Sequence, residues 1–419
     1  MRRSRSLLVR RPAARTFSVK VAAQAGLLLS VVTYAVFSWR AWSTKTGGTL
    51  ASASRDGCFG PPEERVRHDE GGGGGPLRNI ASAYLRQDRL VGGLCGGRKV
   101  VAFAITLTMD GDHLDGAAVL AASIDGVCAT SKFLCDLVAF LDDGIGLETE
   151  NVLRHLGFRV MRPGPPVTLD EIKDKARAIR DMTRERVRVG GCCGPKELMK
   201  FFAYTLTDYH RVVHLDTDVI ILQPLDRLLD EPDSLLYTTD INMSNLQSTV
   251  MPVQGGFLVV RPDPSVFESL VEIVKNTPFT GKGWGNTGIG IFWGGITVQG
   301  LLPYFYEHRA PPGVTYKAVD RCEYNNMVDR PDCQMVELFK VRSAHFTNCM
   351  KPWDCRYPHP KQPLCSRLME RWFEIRSRAE HLLGLPSTDA CPHGYMSQYV
   401  PMRLLAPKAA AAMVPADEQ

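Results

Sequence analysis

An apolar stretch interrupted by two aspartates constrains this chain more than any other feature. Residues 211–222 read RVVHLDTDVIIL, with a strand-like run on either side of Asp216-Thr217-Asp218. Charged groups at the end of a buried strand are costly unless they are paired or bind a metal ion. In open α/β sheets, ligands bind beyond the carboxyl ends of the strands. The stretch therefore predicts a buried strand that ends in a ligand site.

The spacing of Asp216 and Asp218 suits a divalent cation. Two carboxylates at i and i+2 can reach one ion, and oxygen ligands suit Mg²⁺ or Mn²⁺. Such an ion would neutralise a diphosphate and stabilise its departure as a leaving group. An aspartate after a strand is also common in ordinary turns, and the apolar strands on both sides favour the metal site.

A second polar group comes late in the chain, where residues 344–353 read AHFTNCMKPW. A neutral His345 can complete a metal shell, and Lys351 can supply positive charge to a phosphate. A lone histidine is more often a core or surface residue. The Lys-Pro-Trp sequence that follows is what favours a ligand role here.

Strand-like and helix-like segments alternate around these motifs, which predicts an α/β fold with a parallel sheet covered on both faces. Strands are predicted at residues 99–107, 133–141, 211–215 and 256–260, and helices at residues 116–124, 148–156, 196–207 and 364–383.

The positive charge of the chain is concentrated at its N-terminus. The net charge is +5, residues 1–20 carry seven Arg and Lys side chains, and the first acidic residue is Asp56. The remainder is near neutral or slightly acidic, so a nucleic-acid-binding surface is not indicated.

An uncharged stretch at residues 21–39 follows the basic tail. As a helix it would be roughly 28 Å long, about one bilayer core. Its basic N-terminal flank fits a signal anchor with a cytosolic N-terminus. A transit peptide, a cleaved signal peptide and a buried helix are the alternatives. Residues 40–97, rich in Ser, Gly, Arg and Pro, are expected to be a disordered stem. A catalytic domain is expected at residues 98–385, and a largely irregular tail at residues 386–419.

Six of the twelve cysteines lie in the last hundred residues, and none forms a CxxC pair. A zinc ribbon is therefore disfavoured. Buried free thiols are one interpretation. Disulfides in a lumenal domain are the other, and the upstream anchor favours them. The predicted pairs are Cys322 with Cys333, and Cys349 with Cys355 or Cys365.

Six ordered segments within residues 99–360 resemble family 8 glycosyltransferases, the glycogenin-like group. They read ITLTMDGDHLDGAAVLAASI, KFFAYTLTDYHRVVHLDTDVIILQPLDRLL, VQGGFLVVRPD, VQGLLPYFY, EYNN and HFTNCMKPW. The resemblance implies a single Rossmann-like domain of the GT-A type with a mostly parallel central sheet. It also implies a UDP-sugar donor, Mn²⁺ (or Mg²⁺), and transfer with retention of anomeric configuration.

The resemblance also implies roles for individual residues. By matching position, Asp216, Asp218 and His345 would ligate the metal, and Asp240 would lie near the transferred sugar. The residues expected to contact the donor are Leu107, Met109, Asp110, His113, Lys200, Thr217, Gln254 and Lys351.

The chain departs from the family pattern at five positions. His113 stands where a tyrosine often stacks on uracil, and Gln254 replaces an asparagine. Val298 replaces the aspartate of the usual Asp-Gln-Gly, Gly295 stands where some relatives carry another carboxylate, and Asn348 replaces a glycine.

The valine at position 298 bears on the reaction, because a retaining glycosidase uses a carboxylate nucleophile. Val298 cannot be one. The carbonyl group of Gln299 could instead stabilise positive charge on that face of the sugar. We therefore expect front-face substitution, with Gln299 and Asp240 as the catalytic residues. Trp284 and either Phe292 or Trp293 could stack on a sugar ring, although ordinary packing explains such residues as well.

The sequence thus predicts a glycosyltransferase anchored in a Golgi or other secretory-pathway membrane, with its catalytic domain in the lumen. It would move a hexosyl or related unit from a UDP-sugar to a glycan, lipid or protein. A homodimer is compatible with the sequence. The alternatives are a catalytically impaired nucleotide-sugar or glycan-binding protein of the same fold, and a soluble self-glucosylating primer.

Overall fold

The strands form where apolar runs occur in the sequence. The computed structural model describes residues 77, 80, 93–95, 97–173, 194–243, 250–356, 362–394 and 397–404. The strands are β1 (Leu94–Cys95), β2 (Arg98–Leu107), β3 (Leu134–Leu141), β4 (Phe158–Met161), β5 (Arg211–Leu215), β6 (Val219–Ile221), β7 (Leu235–Thr239), β8 (Val253–Val260), β9 (Phe279–Thr280), β10 (Gly283–Trp284), β11 (Tyr316–Ala318) and β12 (Ser343–His345).

Eight strands form one central sheet in the order β11-β7-β8-β5-β2-β3-β4, with β1 paired to β2. Strands β5, β2, β3 and β4 run parallel, and β11 runs parallel to β7. Strand β8 runs antiparallel to both of its neighbours. The predicted α/β fold with a mostly parallel central sheet is confirmed. The chain goes from β2 to β3 on one side and later places β5 on the other, so a crevice opens at the carboxyl ends of β2 and β5.

Helices cover both faces of the sheet. The α-helices are α1 (His113–Cys128), α2 (Leu147–His155), α3 (Asp226–Leu229), α4 (Pro264–Asn276), α5 (Val298–His308), α6 (Pro331–Gln334) and α7 (Pro363–Leu382). The 3-10 helices are Leu169–Glu171, Gly194–Thr205, Ile241–Met243, Leu338–Lys340 and Pro352–Asp354. One hydrophobic core unites α1 and α7 with the sheet, and a second unites Gly194–Thr205, α4 and α5 with its other face.

The helix predicted at residues 196–207 begins two residues earlier and is a 3-10 helix, Gly194–Thr205. In a 3-10 helix, side chains three residues apart lie above one another. Leu198, Phe201 and Tyr204 follow this spacing and are all buried. Glu197 and Lys200 follow it too and form an ion pair of 2.7 Å. The apolar spacing therefore supports the tighter helix.

Four disulfides join described cysteines: Cys128–Cys135, Cys322–Cys333, Cys349–Cys365 and Cys355–Cys391. Cys95 is disulfide-bonded as well. The predicted Cys322–Cys333 pair is confirmed, and Cys349 takes the second of its two predicted partners. The Cys128–Cys135 pair was not predicted; it links the end of α1 to the start of β3.

The C-terminal segment contains no helix or strand at residues 386–394 and 397–404, yet it packs on the domain. Met402 is buried, and its backbone N–H donates to Asp115 of α1. Tyr399 donates its hydroxyl to the same carboxylate oxygen, at 2.7 Å. The segment is therefore fastened to the helix that opens the ligand crevice.

The predicted cytosolic tail at residues 1–20, the predicted anchor at residues 21–39 and most of the predicted stem at residues 40–97 lie outside the described residues. Among the residues that are described, none of the helices combines the length and the hydropathy that a membrane crossing requires.

Candidate metal and donor site

The two aspartates occupy the turn between β5 and β6, at the carboxyl edge of the sheet. Strand β12 pairs antiparallel with β6, and this register sets His345 opposite Val219. His345 Nε2 lies 3.2 Å from an oxygen of Asp218 and 4.0 Å from one of Asp216. The potential ligand atoms of these three residues all lie within 4.8 Å of one another. The structure thus brings together the three residues that the sequence predicted as ligands.

Residue 256 lies beside the ligand atoms, where there is no space for a side chain. A Cβ atom at Gly256 would lie 2.5 Å from Cε1 of His345 and 2.7 Å from an oxygen of Asp216. Two carboxylates and a neutral imidazole are ligands that suit Mn²⁺ or Mg²⁺. The three ligand side chains, with the backbone of Gly256 beside them, fit a divalent cation.

Both carboxylates are held ionised by their neighbours. Burial alone would raise the pKa of Asp216, but Lys200 and His345 outweigh it and hold that pKa below its usual value. Burial likewise acts to raise the pKa of Asp218, and His345 with Lys351 holds that pKa well below its usual value. Both aspartates are therefore available as anionic ligands at neutral pH.

A chain of side-chain amides orients His345. The backbone N–H of Gly256 donates to Gln254 Oε1 at 2.6 Å, which identifies that atom as the oxygen. Asn325 Nδ2 then donates to the same oxygen at 3.2 Å, so Asn325 Oδ1 faces His345 Nδ1 at 3.1 Å. This assignment makes Nδ1–H the donor to Asn325 and turns Nε2 toward the aspartates, where Nε2 could bind a metal ion once it has released its own proton. We call Gln254, Asn325 and His345 the amide relay.

Sequence reasoning missed Asn325, and it assigned Gln254 to the donor. The EYNN segment containing Asn325 contributed to the resemblance, but no side-chain role followed from it. Asn325 lies 20 residues from His345 in the chain, and it is buried. Such a long-range contact has no local sequence signal. Gln254 supports a metal ligand through its oxygen.

Lys200 contacts protein groups on three sides. Its ammonium group donates to Asp216 at 2.8 Å and to the carbonyl of Gly255 at 3.2 Å, and it lies 2.7 Å from Glu197. Burial alone would lower its pKa, but Asp216 and Glu197 outweigh this and raise the pKa above its usual value. The expected donor-contacting lysine thus positions Asp216, and its contact with a donor stays a prediction.

Lys351 is the more accessible of the two lysines, with 34% of its side chain exposed. Its ammonium group donates to Asp218. The loop that carries it continues into Trp353, whose ring contacts that of His113 edge-on with the centroids 5.5 Å apart. His113 Nδ1 lies 3.1 Å from the hydroxyl of Thr217. The first turn of α1, the Asp-Thr-Asp turn and the lysine loop therefore form one contiguous wall.

The residues expected to contact the nucleoside of the donor lie at the end of β2 and just after it. Leu107 is buried in the core, whereas Met109 is 52% exposed. Asp110 accepts a hydrogen bond of 2.6 Å from the hydroxyl of Thr149 and one from the backbone N–H of Gly146. In this structure Asp110 fastens the loop after β2 to α2, and a contact with a nucleoside remains a prediction.

The two predicted catalytic residues lie on the β8 side of the crevice. Asp240 is buried directly after β7, and its backbone N–H donates to Pro252 just before β8. Gln299 is buried in the first turn of α5, where its Oε1 accepts from the hydroxyl of Thr297 at 2.9 Å. Its neighbour Val298 lies beside Gly255, at 3.5 Å from the position of an added Cβ.

The absence of a carboxylate at position 295 has a steric cause. A Cβ atom on Gly295 would lie 1.9 Å from the carbonyl oxygen of Gly290. No side chain fits there without a change in the backbone of this segment.

Neither a protein-family model nor a curated protein sequence matches the chain. Similar solved structures include the apo form of glycosyltransferase GlyE of Streptococcus pneumoniae TIGR4, with a TM-score of 0.41 and 11% identity over 68% of this chain and 62% of GlyE. The galactosyltransferase LgtC with donor and acceptor sugar analogs gives 0.37 and 13% identity over 66% of this chain and 96% of LgtC. Mouse xyloside xylosyltransferase 1 gives 0.35 and 10% identity over 59% of this chain and 98% of that protein.

These three proteins are glycosyltransferases. The chain spans a little under two thirds of GlyE.

Proposed function

We propose that the protein is a metal-dependent retaining glycosyltransferase that moves a hexosyl or related unit from a UDP-sugar to a glycan, lipid or protein acceptor. The convergence of Asp216, Asp218 and His345 beside Lys351, at the carboxyl edge of the sheet, carries this proposal. A metal ligand set alone fits many functions. Lys351 is partly exposed and contacts Asp218, one of the proposed ligands. It adds a positive charge for the negative charge of a diphosphate that the metal ion does not neutralise.

In this proposal, Asp216, Asp218 and His345 hold Mn²⁺ or Mg²⁺, which would supply positive charge to the departing diphosphate. The amide relay keeps the Nε2 lone pair of His345 aimed at the ligand site. Lys351 exchanges part of its contact with Asp218 for a phosphate oxygen. Lys200 keeps Asp216 ionised and in place.

The chemistry on the β8 side favours front-face substitution. The bond between the anomeric carbon and the diphosphate oxygen breaks, the acceptor oxygen bonds to that carbon on the same face, and the acceptor proton passes to the departing diphosphate. Val298 offers no nucleophile on the opposite face. The Gln299 carbonyl is held by Thr297, and Asp240 lies buried on the same side as a second polar group.

We further propose that the protein is held in a secretory-pathway membrane by residues 21–39, with the catalytic domain in the lumen. The four described disulfides support an oxidising compartment. Protease protection of a C-terminal tag in sealed microsomes tests this topology. Digestion of the tag without detergent would contradict it.

The central experiment incubates the protein with Mn²⁺ and a panel of UDP-sugars and measures UDP release with and without saccharide acceptors. We expect turnover with at least one donor and its loss in Asp218→Asn. The control variant Asp170→Asn removes a charge from an exposed aspartate. Binding of UDP-sugar without turnover by the wild type would support the alternative, a binding protein of this fold.

A further inference from the structure

The glycine-rich segment at residues 281–300 carries three large aromatic side chains, and the structure separates them by burial. Trp284 and Phe292 are 0% and 1% exposed and belong to the core. Trp284 also donates its indole N–H to the carbonyl of Gly295 at 2.9 Å. Trp293 is 37% exposed. Of the three residues for which the sequence suggested sugar stacking, only Trp293 has a ring that a ligand could reach.

The segment that carries Trp293 is closely packed through its glycines. A Cβ on Gly295 would lie 1.9 Å from the carbonyl oxygen of Gly290, and a Cβ on Gly300 would lie 2.1 Å from that of Gly295. Stretches of backbone packed this closely leave little room for a change of conformation. The backbone that carries the exposed indole is therefore closely packed, which reduces the backbone entropy lost when a ligand binds there.

Contacts connect Trp293 to the proposed catalytic centre. A Cβ on the next residue, Gly294, would lie 2.7 Å from the side chain of Gln299. The adjacent Val298 lies beside Gly255, whose carbonyl oxygen accepts from the lysine that holds Asp216. Trp293 thus borders the side of the site that faces β8.

The order of residues along the sheet edge indicates which substrate reaches this side. The proposed nucleoside contacts follow β2, the ligand aspartates follow β5, and Gln254 and Gly255 lie on β8. In the sheet these strands are neighbours in the order β2, β5, β8. A donor whose nucleoside lies at β2 and whose diphosphate lies at β5 points its sugar toward β8. The acceptor must meet that sugar from the region beyond it, on the side where the residue after Trp293 contacts Gln299.

We propose that Trp293 is an acceptor-binding residue on which a pyranose ring of a saccharide acceptor stacks. This inference rests on the proposed function. A pyranose presents an apolar C–H face and polar hydroxyl edges, and an indole ring offers a wide apolar face with a polar N–H. The proposal therefore selects a glycan over a lipid or an unglycosylated protein as the acceptor.

The test compares Trp293→Ala and Trp293→Phe with wild type, using methyl glycosides of common hexoses and of xylose as acceptors. We expect the acceptor KM to rise by about tenfold in Trp293→Ala, the equivalent of one lost aromatic contact, and by less in Trp293→Phe. The donor KM should change by less than about twofold. The control is Phe339→Ala, which removes an aromatic side chain that is 67% exposed on another segment.

An unchanged acceptor KM in Trp293→Ala overturns the inference, as does an equal rise in the control Phe339→Ala. If the wild type releases UDP from no donor, the proposed function fails, and stacking of a saccharide on Trp293 is tested by binding alone. A methyl glycoside that perturbs tryptophan fluorescence in the wild type but not in Trp293→Phe would still support it. A glycoside that perturbs neither protein would overturn it.

Discussion

Asn325 Oδ1 lies 3.1 Å from His345 Nδ1, and Asn325 itself has a left-handed backbone with φ of 59°. Asparagine tolerates this conformation better than most residues do. Asn325 therefore adopts a backbone conformation that most residues avoid, and its side-chain oxygen accepts a hydrogen bond from Nδ1–H of His345. Partners of this kind usually matter almost as much to a metal site as the ligands themselves.

Removing the Asn325 side chain should weaken metal binding. Asn325→Gly keeps the left-handed backbone without strain and deletes the group that accepts from His345. We expect Mn²⁺ affinity to fall about 10–100-fold, as is typical when the hydrogen-bond partner of a ligand is lost. Titration followed by electron paramagnetic resonance of free Mn²⁺ measures the affinity directly.

Asn286→Gly is the matched control for Asn325→Gly, because Asn286 also has a left-handed backbone, with φ of 61°. Its side chain accepts a hydrogen bond from the hydroxyl of Thr280, just before the glycine-rich segment. Equal affinity in wild type and Asn325→Gly, with an unchanged circular dichroism spectrum, would contradict the role of the amide relay.

Adjacent glycines on β8 should differ sharply in their tolerance of alanine. A Cβ at Gly256 meets His345 and Asp216 at 2.7 Å or less, whereas a Cβ at Gly255 meets its nearest neighbours at 3.5 Å. We expect Gly256→Ala to lose more than about tenfold in Mn²⁺ affinity through displaced ligands, and Gly255→Ala to bind like wild type. Calorimetric titration with Mn²⁺ decides between them, and similar affinities in the two variants would count against the site.

Stability should depend on pH through Asp115. Burial raises the pKa of this carboxyl group to about 6, despite the hydrogen bonds from Met402 and Tyr399. Between its unfolded pKa and pH 6 the folded chain keeps a proton that the unfolded chain has released. The free energy of unfolding therefore falls as pH rises through this window, by about 1 kcal/mol between pH 5 and pH 7.

Asp115→Asn removes the titrating group at the same position. Urea unfolding at pH 5 and pH 7 should show a smaller loss of stability with rising pH in this variant than in wild type. Identical pH dependence in the two proteins would show that Asp115 titrates normally in the folded state.

Two disulfides flank Lys351 and should govern donor affinity. Cys349–Cys365 and Cys355–Cys391 tie the loop to α7 and to the C-terminal segment. In the double variant Cys355→Ser, Cys391→Ser we expect the donor KM to rise about three- to tenfold, because a looser loop holds Lys351 less firmly. Mn²⁺ affinity should change less, because Asp216, Asp218 and His345 lie outside this loop.

The control for this loop is Cys128→Ser, Cys135→Ser, which removes a disulfide at the start of β3 and so at the opposite edge of the sheet. Both double variants should lose stability. A rise in donor KM of the same size in both would mean that the effect reflects general destabilisation.

Local sequence patterns predicted most of the fold and the two aspartates of the proposed metal site. Continuous apolar runs identified β2, β3, β5 and β8, because strands buried on both faces read as hydrophobic runs. The Asp216 and Asp218 pair was visible because charges at the end of such a strand are rare. His345 and Lys351 needed the resemblance as well, since nothing local in the sequence links them to the aspartates that follow β5.

What the sequence could not supply depends on contacts between distant segments. Asn325 meets Gln254 across 71 residues, and the tautomer of His345 follows from that contact. Lys200 was expected at the donor, although Glu197 three residues earlier was a local signal for an ion pair. Trp284 is buried and Trp293 is exposed, a difference that the residue type alone does not reveal.

The close contact between Gly290 and Gly295 also limits how this chain could change its chemistry. Because any side chain at position 295 collides with the backbone, a carboxylate cannot be introduced there by one codon change in a folded protein. A route to a double-displacement reaction through this position would require rebuilding the segment as a whole. The absence of that carboxylate is thus a property of the architecture, and selection acting on single substitutions would meet a barrier there.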